Sequence, residues 1–276
     1  MTGSDTSPNA PSEPGSSPAS PPRDAPLTAT GASASPGASS GAGGGFGARV
    51  AQWFAEPAGK AAAVLIAGAA AVMALVTAGW QPLLRADRHL AAQLHQLALE
   101  HDGLTRANRI LTDWFWDPWT MRALLLVAVI LLCARGQRYL GLWVAGTSAL
   151  EWGGRTALRF ALGRERPVWE HPVDSASLHA LPSGHAMTAA ASGVLLLWLA
   201  RRSQVARVWW VLAVVVAAVS VIGVCFTRMF LGVHWPTDTL AGALLGTGVA
   251  CASIATWTIV TRHGPGPSDR TAAPGR

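Results

Sequence analysis

Long apolar runs separated by short polar segments dominate the chain. The blocks AAAVLIAGAAAVMALVTAGW (61–80), RALLLVAVILLCA (122–134), VLAVVVAAVSVIGVCF (211–226) and LAGALLGTGVACASIATWTIV (240–260) stand out. They reach or approach the ~20 residues that a helix needs to cross a hydrocarbon layer. A soluble helical protein would show amphipathic faces at the helical period, and these blocks leave too few of them. Six spans are predicted, at about 61–80, 119–134, 139–158, 186–200, 208–226 and 239–260. The fold class is therefore expected to be all-α, a polytopic membrane protein built as a six-transmembrane-helix bundle.

The polar segments between the spans differ in charge. Arg135 and Arg138 follow the second span, Arg201, Arg202 and Arg207 follow the fourth, and Arg262, Arg270 and Arg276 follow the sixth. The positive-inside rule puts these segments and both termini in the cytoplasm of a multi-pass cell-membrane protein. Segments 81–118, 159–185 and 227–238 then face outward. Within the first of them, HLAAQLHQLALE (89–100) has Leu90, Leu94 and Leu97 at helical spacing and reads as a helix lying in the interface.

Forty of the first 48 residues are Gly, Ala, Ser, Thr or Pro, too little apolar surface to offset chain entropy. The expected organisation is a disordered cytoplasmic tail at 1–48, without the pattern of a signal peptide. A first span and outer loop follow at 49–118, a core at 119–261 and a cytoplasmic tail at 262–276. The net charge of +6 would suit a nucleic-acid partner, but the basic residues lie between apolar blocks, as orientation signals do. Thirteen tryptophans against one tyrosine, several of them in DWFWDPW (113–119), fit interfacial anchoring. Cys133, Cys225 and Cys251 all fall in apolar blocks and read as small buried hydrophobes, neither disulfide framework nor metal pair.

Three polar clusters share the outer face. RFALGRERP (159–167) holds Arg159 and Arg166; PSGH (182–185) precedes the fourth span; TRMFLGVHWPTD (227–238) holds Arg228, His234 and Asp238 before the sixth. Packing of helix ends would bring them into one pocket. Converging arginines repel one another unless an anion sits among them, and guanidinium forks match phosphate oxygens. Ser183 suits an N-cap, so that free N–H groups of the following helix point at the anion. Pro236 suits a first helical position and puts Asp238 in the first turn, within reach of His234. A carboxylate on one imidazole nitrogen leaves the other free to attack, and His185 supplies a second imidazole for proton transfer. No HExxH motif or carboxylate cluster points to a metal. Glu151, Arg155 and Arg159 lie four apart on one helical face, where a Glu151–Arg155 pair is expected to steady Arg159; His179 is expected in a solvated loop.

This pattern resembles the type-2 phosphatidic acid phosphatase superfamily, over about 119 to 260. It consists of a basic residue, six residues and Arg-Pro, then PSGH, then a hydroxyl residue and arginine, five residues, His, three residues and Asp. The members are lipid phosphate phosphatases related to bacterial haloperoxidases that hold vanadate in the same pocket. The resemblance implies that His234 is the nucleophile and becomes phosphohistidine, that Asp238 orients it, and that His185 protonates the leaving alcohol. It likewise implies that Arg159, Arg166, Ser183, the Gly184 amide and Arg228 hold the phosphate oxygens. Two positions depart from the family: Arg159 stands where lysine is usual, and Thr227 where serine is usual. The implied activity is metal-independent, cofactor-free hydrolysis of a terminal phosphate of a phospholipid or polyprenyl (di)phosphate. The implied partners are a lipid phosphate substrate and membrane lipids. Rival readings are a phosphotransferase using the same site and a non-catalytic phosphate-binding protein or transporter.

Overall fold

The computed structural model describes residues 43–262, so the expected tails fall outside the described residues apart from 43–48 and Arg262. Every regular element among the described residues is helical: α1 (Gly43–Ala55), α2 (Pro57–Thr77), α3 (Gln81–Glu100), α4 (Asp102–Ile110), a π-helical turn (Leu111–Phe115), α5 (Pro118–Ala134), α6 (Arg138–Leu162), α7 (Gly184–Arg202), α8 (Arg207–Phe230) and α9 (Pro236–Arg262). Proline opens α2, α5 and α9, where its missing N–H costs nothing. Asp117 caps α5 by accepting from Trp119 N at 2.6 Å and Thr120 N at 3.3 Å. α6 ends at Gly163, whose φ of 57° is left-handed.

Among the described residues four stretches are long and apolar enough to cross a membrane: Pro57–Thr77, Asp102–Ala134, Arg207–Phe230 and Pro236–Arg262. Their outward faces carry exposed Val64, Leu126, Val216 and Ile222, as suits a lipid surround. Two of the six expected spans, 139–158 in α6 and 186–200 in α7, are not among the four. The reason is compositional: α6 carries Glu151 and Arg155 toward the interior, and α7 is rich in small and polar residues that pack inside the bundle. Cys133, expected to be buried, is exposed; all three cysteines are free thiols.

α9 is the axis of the bundle, packed on α2 and α7. Its glycines make this possible. A β-carbon at Gly246 would come within 2.2 Å of the Met187 carbonyl oxygen, and one at Gly242 within 2.6 Å of the Ser183 carbonyl oxygen. Bare backbone there lets α7 lie directly on α9, close contact of the kind small residues provide in membrane helices. Ala69 of α2, Met187 of α7 and Leu245 of α9 share one core cluster, so the first expected span packs with the core rather than apart from it.

The 81–118 segment is more structured than its apolar pattern suggests. α3 starts at Gln81 and runs eight residues before the stretch expected to be helical. His95 of α3 stacks on Trp169 with ring centroids 4.2 Å apart, and Asp87 is buried against the start of α9. The segment thereby holds the 163–183 connection in place.

Candidate active site

The N-termini of α5 and α7, the C-termini of α6 and α8 and the turn before α9 meet around a polar cavity of ≈ 610 Å³. Arg159, Arg166, Gly184, His185, Arg228 and His234 all line it. Helices that alternate in direction present alternating ends, so residues as far apart in sequence as Asp113 and His234 converge here. Asp238 and Ser183 stand behind the wall, fully buried.

His234 is 1% exposed. Its Nδ1 lies 3.4 Å from Asp238 Oδ2 and its Nε2 lies 3.1 Å from Arg166 Nη1. A guanidinium has no acceptor, so Nε2 must carry the lone pair and Nδ1 the proton. The tautomer is set by its two neighbours, and the unprotonated nitrogen is the one at the cavity. Asp238 is itself held: Oδ2 accepts from Trp235 N at 2.9 Å and Oδ1 from Arg164 Nη1 at 2.5 Å. Arg164 bridges onward to Asp87 Oδ2 at 2.7 Å, and Asp87 also accepts from Thr237 N at 3.0 Å and Thr237 Oγ1 at 2.5 Å. A buried carboxylate–guanidinium–carboxylate chain thus fixes the carboxylate that faces the imidazole.

The three arginines of the sequence pattern are anchored differently. Arg166 donates to three carbonyls, those of Leu178 at 2.8 Å, Val233 at 2.6 Å and Ser177 at 3.0 Å. Arg159 donates through Nε to Pro182 O at 3.0 Å, which leaves both terminal nitrogens free. Arg228 is 4% exposed, has Asp174 at 3.6 Å, and its Nε is buried without a partner. At the head of α7, Ser183 occupies the N-cap position, but its side chain makes no capping bond; the hydroxyl is buried and unpartnered. The expected cap is thus a cap by backbone alone. Its N–H donates to Asp238 O at 2.9 Å, stitching PSGH to α9.

The field in the cavity is strongly positive. Burial, with Arg228 second, pulls the Arg166 pKa down to about 10. Burial, then Arg228 and His234, takes His185 down to about 2. Burial, then Arg166, Arg228 and Arg159, holds His234 well below the ordinary imidazole value. These shifts favour the neutral form of both rings, and the converging guanidinium groups suit an anion.

Other residues were not legible as site components. Arg122 and Arg155 line the same cavity, as does Asp174. Glu151 and Arg155 attract each other as their spacing suggests, but the direct ion pair of the carboxylate is with another residue. Glu151 lies 3.7 Å from Arg122 Nη2 and accepts from Thr188 Oγ1 at 3.2 Å. The i,i+4 spacing places Glu151 and Arg155 on one face, but α5 and α7 supply nearer partners for the carboxylate. His179 is half-buried, edge-on to Phe160 at 6.3 Å, rather than free in solvent. Among the described residues no group of three His, Cys, Asp or Glu side chains is placed to hold a metal ion.

The described residues thus form an all-helical bundle with membrane-length apolar stretches and a guanidinium-lined cavity around two histidines. Residues 139–262, a little under half of the chain, match the family model of the PAP2 superfamily. Over 76 residues the chain is 34% identical to an undecaprenyl-diphosphatase of Sulfolobus acidocaldarius, covering 28% of this chain and 32% of that protein. Over 89 residues it is 36% identical to phosphatidylglycerophosphatase B of Escherichia coli, covering 31% of each. The matched segments thus span about a third of these curated relatives. The fold is like that of a transmembrane PAP2-type phosphatidylglycerolphosphate phosphatase from Bacillus subtilis, with a TM-score of 0.56 at 18% identity over 78% of this chain and 98% of the other.

Proposed function

We propose that this protein is a membrane lipid phosphatase that hydrolyses the terminal phosphate of a phospholipid or polyprenyl (di)phosphate. In this reading α6 and α7 cross the bilayer beside the four apolar stretches, both termini are cytoplasmic and the cavity opens at the outer face. The observation that carries the reading is the pairing of His234: its protonated nitrogen faces Asp238 and its lone pair faces the guanidinium cavity.

His234 Nε2 attacks phosphorus in line while the bond to the leaving oxygen breaks. His185 gives that oxygen a proton. For this His185 must be protonated, and the dianion supplies the condition: its charge beside the ring offsets the arginines that otherwise hold the imidazole neutral. Arg159, Arg166, Arg228 and the Gly184 amide stabilise the equatorial oxygens, and the buried, unpartnered Ser183 hydroxyl joins them once a phosphate oxygen reaches the head of α7. Neutral His185 then takes a proton from the water that cleaves the phosphohistidine. These groups supply the positive charge from the chain itself, so no metal or cofactor is called for. Hydrolysis is favoured over a binding-only role because an Asp-oriented imidazole adds nothing to affinity for phosphate.

The test is phosphate release by the purified full chain from phosphatidic acid, phosphatidylglycerol phosphate and polyprenyl phosphates in mixed micelles. Orthovanadate is expected to inhibit and a chelator to leave the rate unchanged. Label from a radioactive donor is expected in free phosphate and transiently on His234; label accumulating in a lipid or sugar acceptor would instead identify a phosphotransferase. Undiminished turnover by a folded His234→Ala variant would remove the mechanism.

A further inference from the structure

Asp174 stands in the cavity lining rather than behind it. Its Oδ2 lies 3.6 Å from Arg228 Nη1, an ion pair too long for a hydrogen bond. The Asp174 side chain is 22% exposed, whereas that of Arg228 is 5% exposed, and both line the cavity. The other oxygen, Oδ1, accepts from Ser175 N at 2.8 Å, a local bond. Asp238 offers the contrast. It is fully buried, bonds Arg164 Nη1 at 2.5 Å and meets His234 from behind the wall. A carboxylate behind its partner orients it. One in front of its partner takes the place of an arriving anion.

Arg228 is open to such sharing. Its Nε is buried without a hydrogen-bond partner, and its attraction to Asp174 is the largest it has to any carboxylate, ahead of Asp113 and Asp117. The connection that carries Asp174 is tied on both sides. Val173 O accepts from Arg109 of α4, and the carbonyls of Ser177 and Leu178 accept from Arg166 at 3.0 and 2.8 Å. With its backbone held, Asp174 stays close when an anion enters, and the repulsion between the two is felt in the bound state.

The chemistry of the product gives that repulsion a use. Five guanidinium groups line the cavity, those of Arg122, Arg155, Arg159, Arg166 and Arg228. A phosphate freed from its lipid keeps its negative charge and is held by the same cations. Affinity differences of this kind appear mainly in the off-rate, so tight binding means slow departure. A lipid substrate gains further binding from its hydrocarbon chain, which the freed phosphate lacks. A carboxylate that competes for Arg228 therefore weakens the hold on product more than it hinders the substrate.

We propose that Asp174 is a product-release residue, which shares Arg228 with the phosphate and keeps the cavity from retaining the freed orthophosphate. This rests on the phosphatase reading above and adds a step after the chemistry.

The test is titration calorimetry of orthophosphate into the full chain in detergent, with product inhibition measured on phosphatidic acid. Asp174→Asn removes the charge and keeps an acceptor for Ser175 N. It is expected to bind orthophosphate about tenfold more tightly, and to be inhibited at correspondingly lower concentration. Asp174→Glu keeps the charge and is expected to stay near the wild-type affinity. Glu170→Gln removes an exposed carboxylate of the same connection outside the cavity lining, and is expected to change nothing. Unchanged or weaker binding by Asp174→Asn would overturn the release role, because loss of a carboxylate that merely positions Arg228 weakens binding. Equal tightening by Glu170→Gln would overturn it too, as a general effect of charge. Calorimetry needs no turnover, so both outcomes leave the phosphatase reading intact. A wild type that binds orthophosphate but frees none from any lipid would instead remove the phosphatase reading, and the release role with it. If Asp174→Asn does not fold, Asp174→Ser is read in the same way.

Discussion

Arg166 Nη1 donates to His234 Nε2 across 3.1 Å, so the imidazole nitrogen that faces the cavity is the one without a proton. The same guanidinium is pinned by the carbonyls of Leu178, Val233 and Ser177, so its position does not depend on the imidazole. A phosphate oxygen entering the cavity would take over this donor and free the lone pair for attack.

The carboxylate on the other nitrogen should matter as much as the ring. Asp238→Asn is expected to keep the fold but to present a neutral amide to Nδ1, losing control of the tautomer and of the cation formed in the reaction. A drop in kcat of roughly 10²- to 10⁴-fold is expected, by analogy with carboxylates that orient imidazoles elsewhere. Initial-rate kinetics on detergent-solubilised protein with a size-exclusion profile check this; a variant within threefold of wild type would remove the orienting role.

Buried neutral histidines give stability a definite pH dependence. His185 and His234 have folded-state pKa values below the ~6.5 of an exposed imidazole. Below about 6.5 the unfolded chain therefore binds protons that the folded chain does not, and stability falls with pH. For His185 the loss continues toward its folded value of about 2. Asp238, pushed up to about 6 by burial, takes up a proton in the folded state and offsets part of this loss. The melting temperature of the protein without added anion is therefore expected to show a net decline from pH 6.5 to 5, set by the two histidines. Orthophosphate or vanadate should reduce the decline by making protonated His185 acceptable. Proton uptake on anion binding, measured by titration calorimetry in two buffers of different ionisation enthalpy, gives an independent reading.

The Asp87–Arg164–Asp238 chain predicts a stability effect far from the cavity wall. Arg164→Met leaves two buried carboxylates without their shared cation. A loss of about 3–5 kcal/mol is expected from breaking a buried pair on one side. Asp87→Ala strands Thr237 N and Thr237 Oγ1 as well and should behave similarly. Denaturation in detergent measures both, and Asp87→Asn should lose less because it keeps an acceptor.

The glycine face of α9 makes a steric prediction. Gly246→Ala would press a methyl group against the Met187 carbonyl, backbone that cannot turn aside. About 1–3 kcal/mol of destabilisation is expected. Because α7 carries Gly184 and His185 at its head, phosphate release should fall too, although residue 246 lies outside the cavity. The corresponding change at Gly45, where a β-carbon meets nothing within 4 Å, is the control.

Much of this was written in the order of residues. Apolar runs announced helices because a hydrocarbon surround demands continuous apolar sequence, and Pro236 with Asp238 announced the first turn of α9 because capping chemistry is local. The three polar clusters were legible for the same reason: each sits within a few residues of a helix end, and so keeps its pattern in the sequence. Asp87 left no such signal. It lies in an unremarkable ADRH stretch, and only the packing of α3 on α9 sets it against Thr237 and Arg164. Ser183 was placed correctly at a helix start, but whether its hydroxyl caps the helix or stays unpaired depends on what surrounds it, and here it is unpaired. The Glu151–Arg155 attraction was legible in the spacing, which reports a shared face, but spacing cannot report that α5 brings Arg122 within ion-pair distance of the same carboxylate. Sequence alone therefore determined which elements form and which ends of them are charged, since those follow from local solvation and backbone geometry. Tertiary structure decided which charges find direct partners, as Arg164 does between Asp87 and Asp238, because a partner is a matter of distance across the bundle.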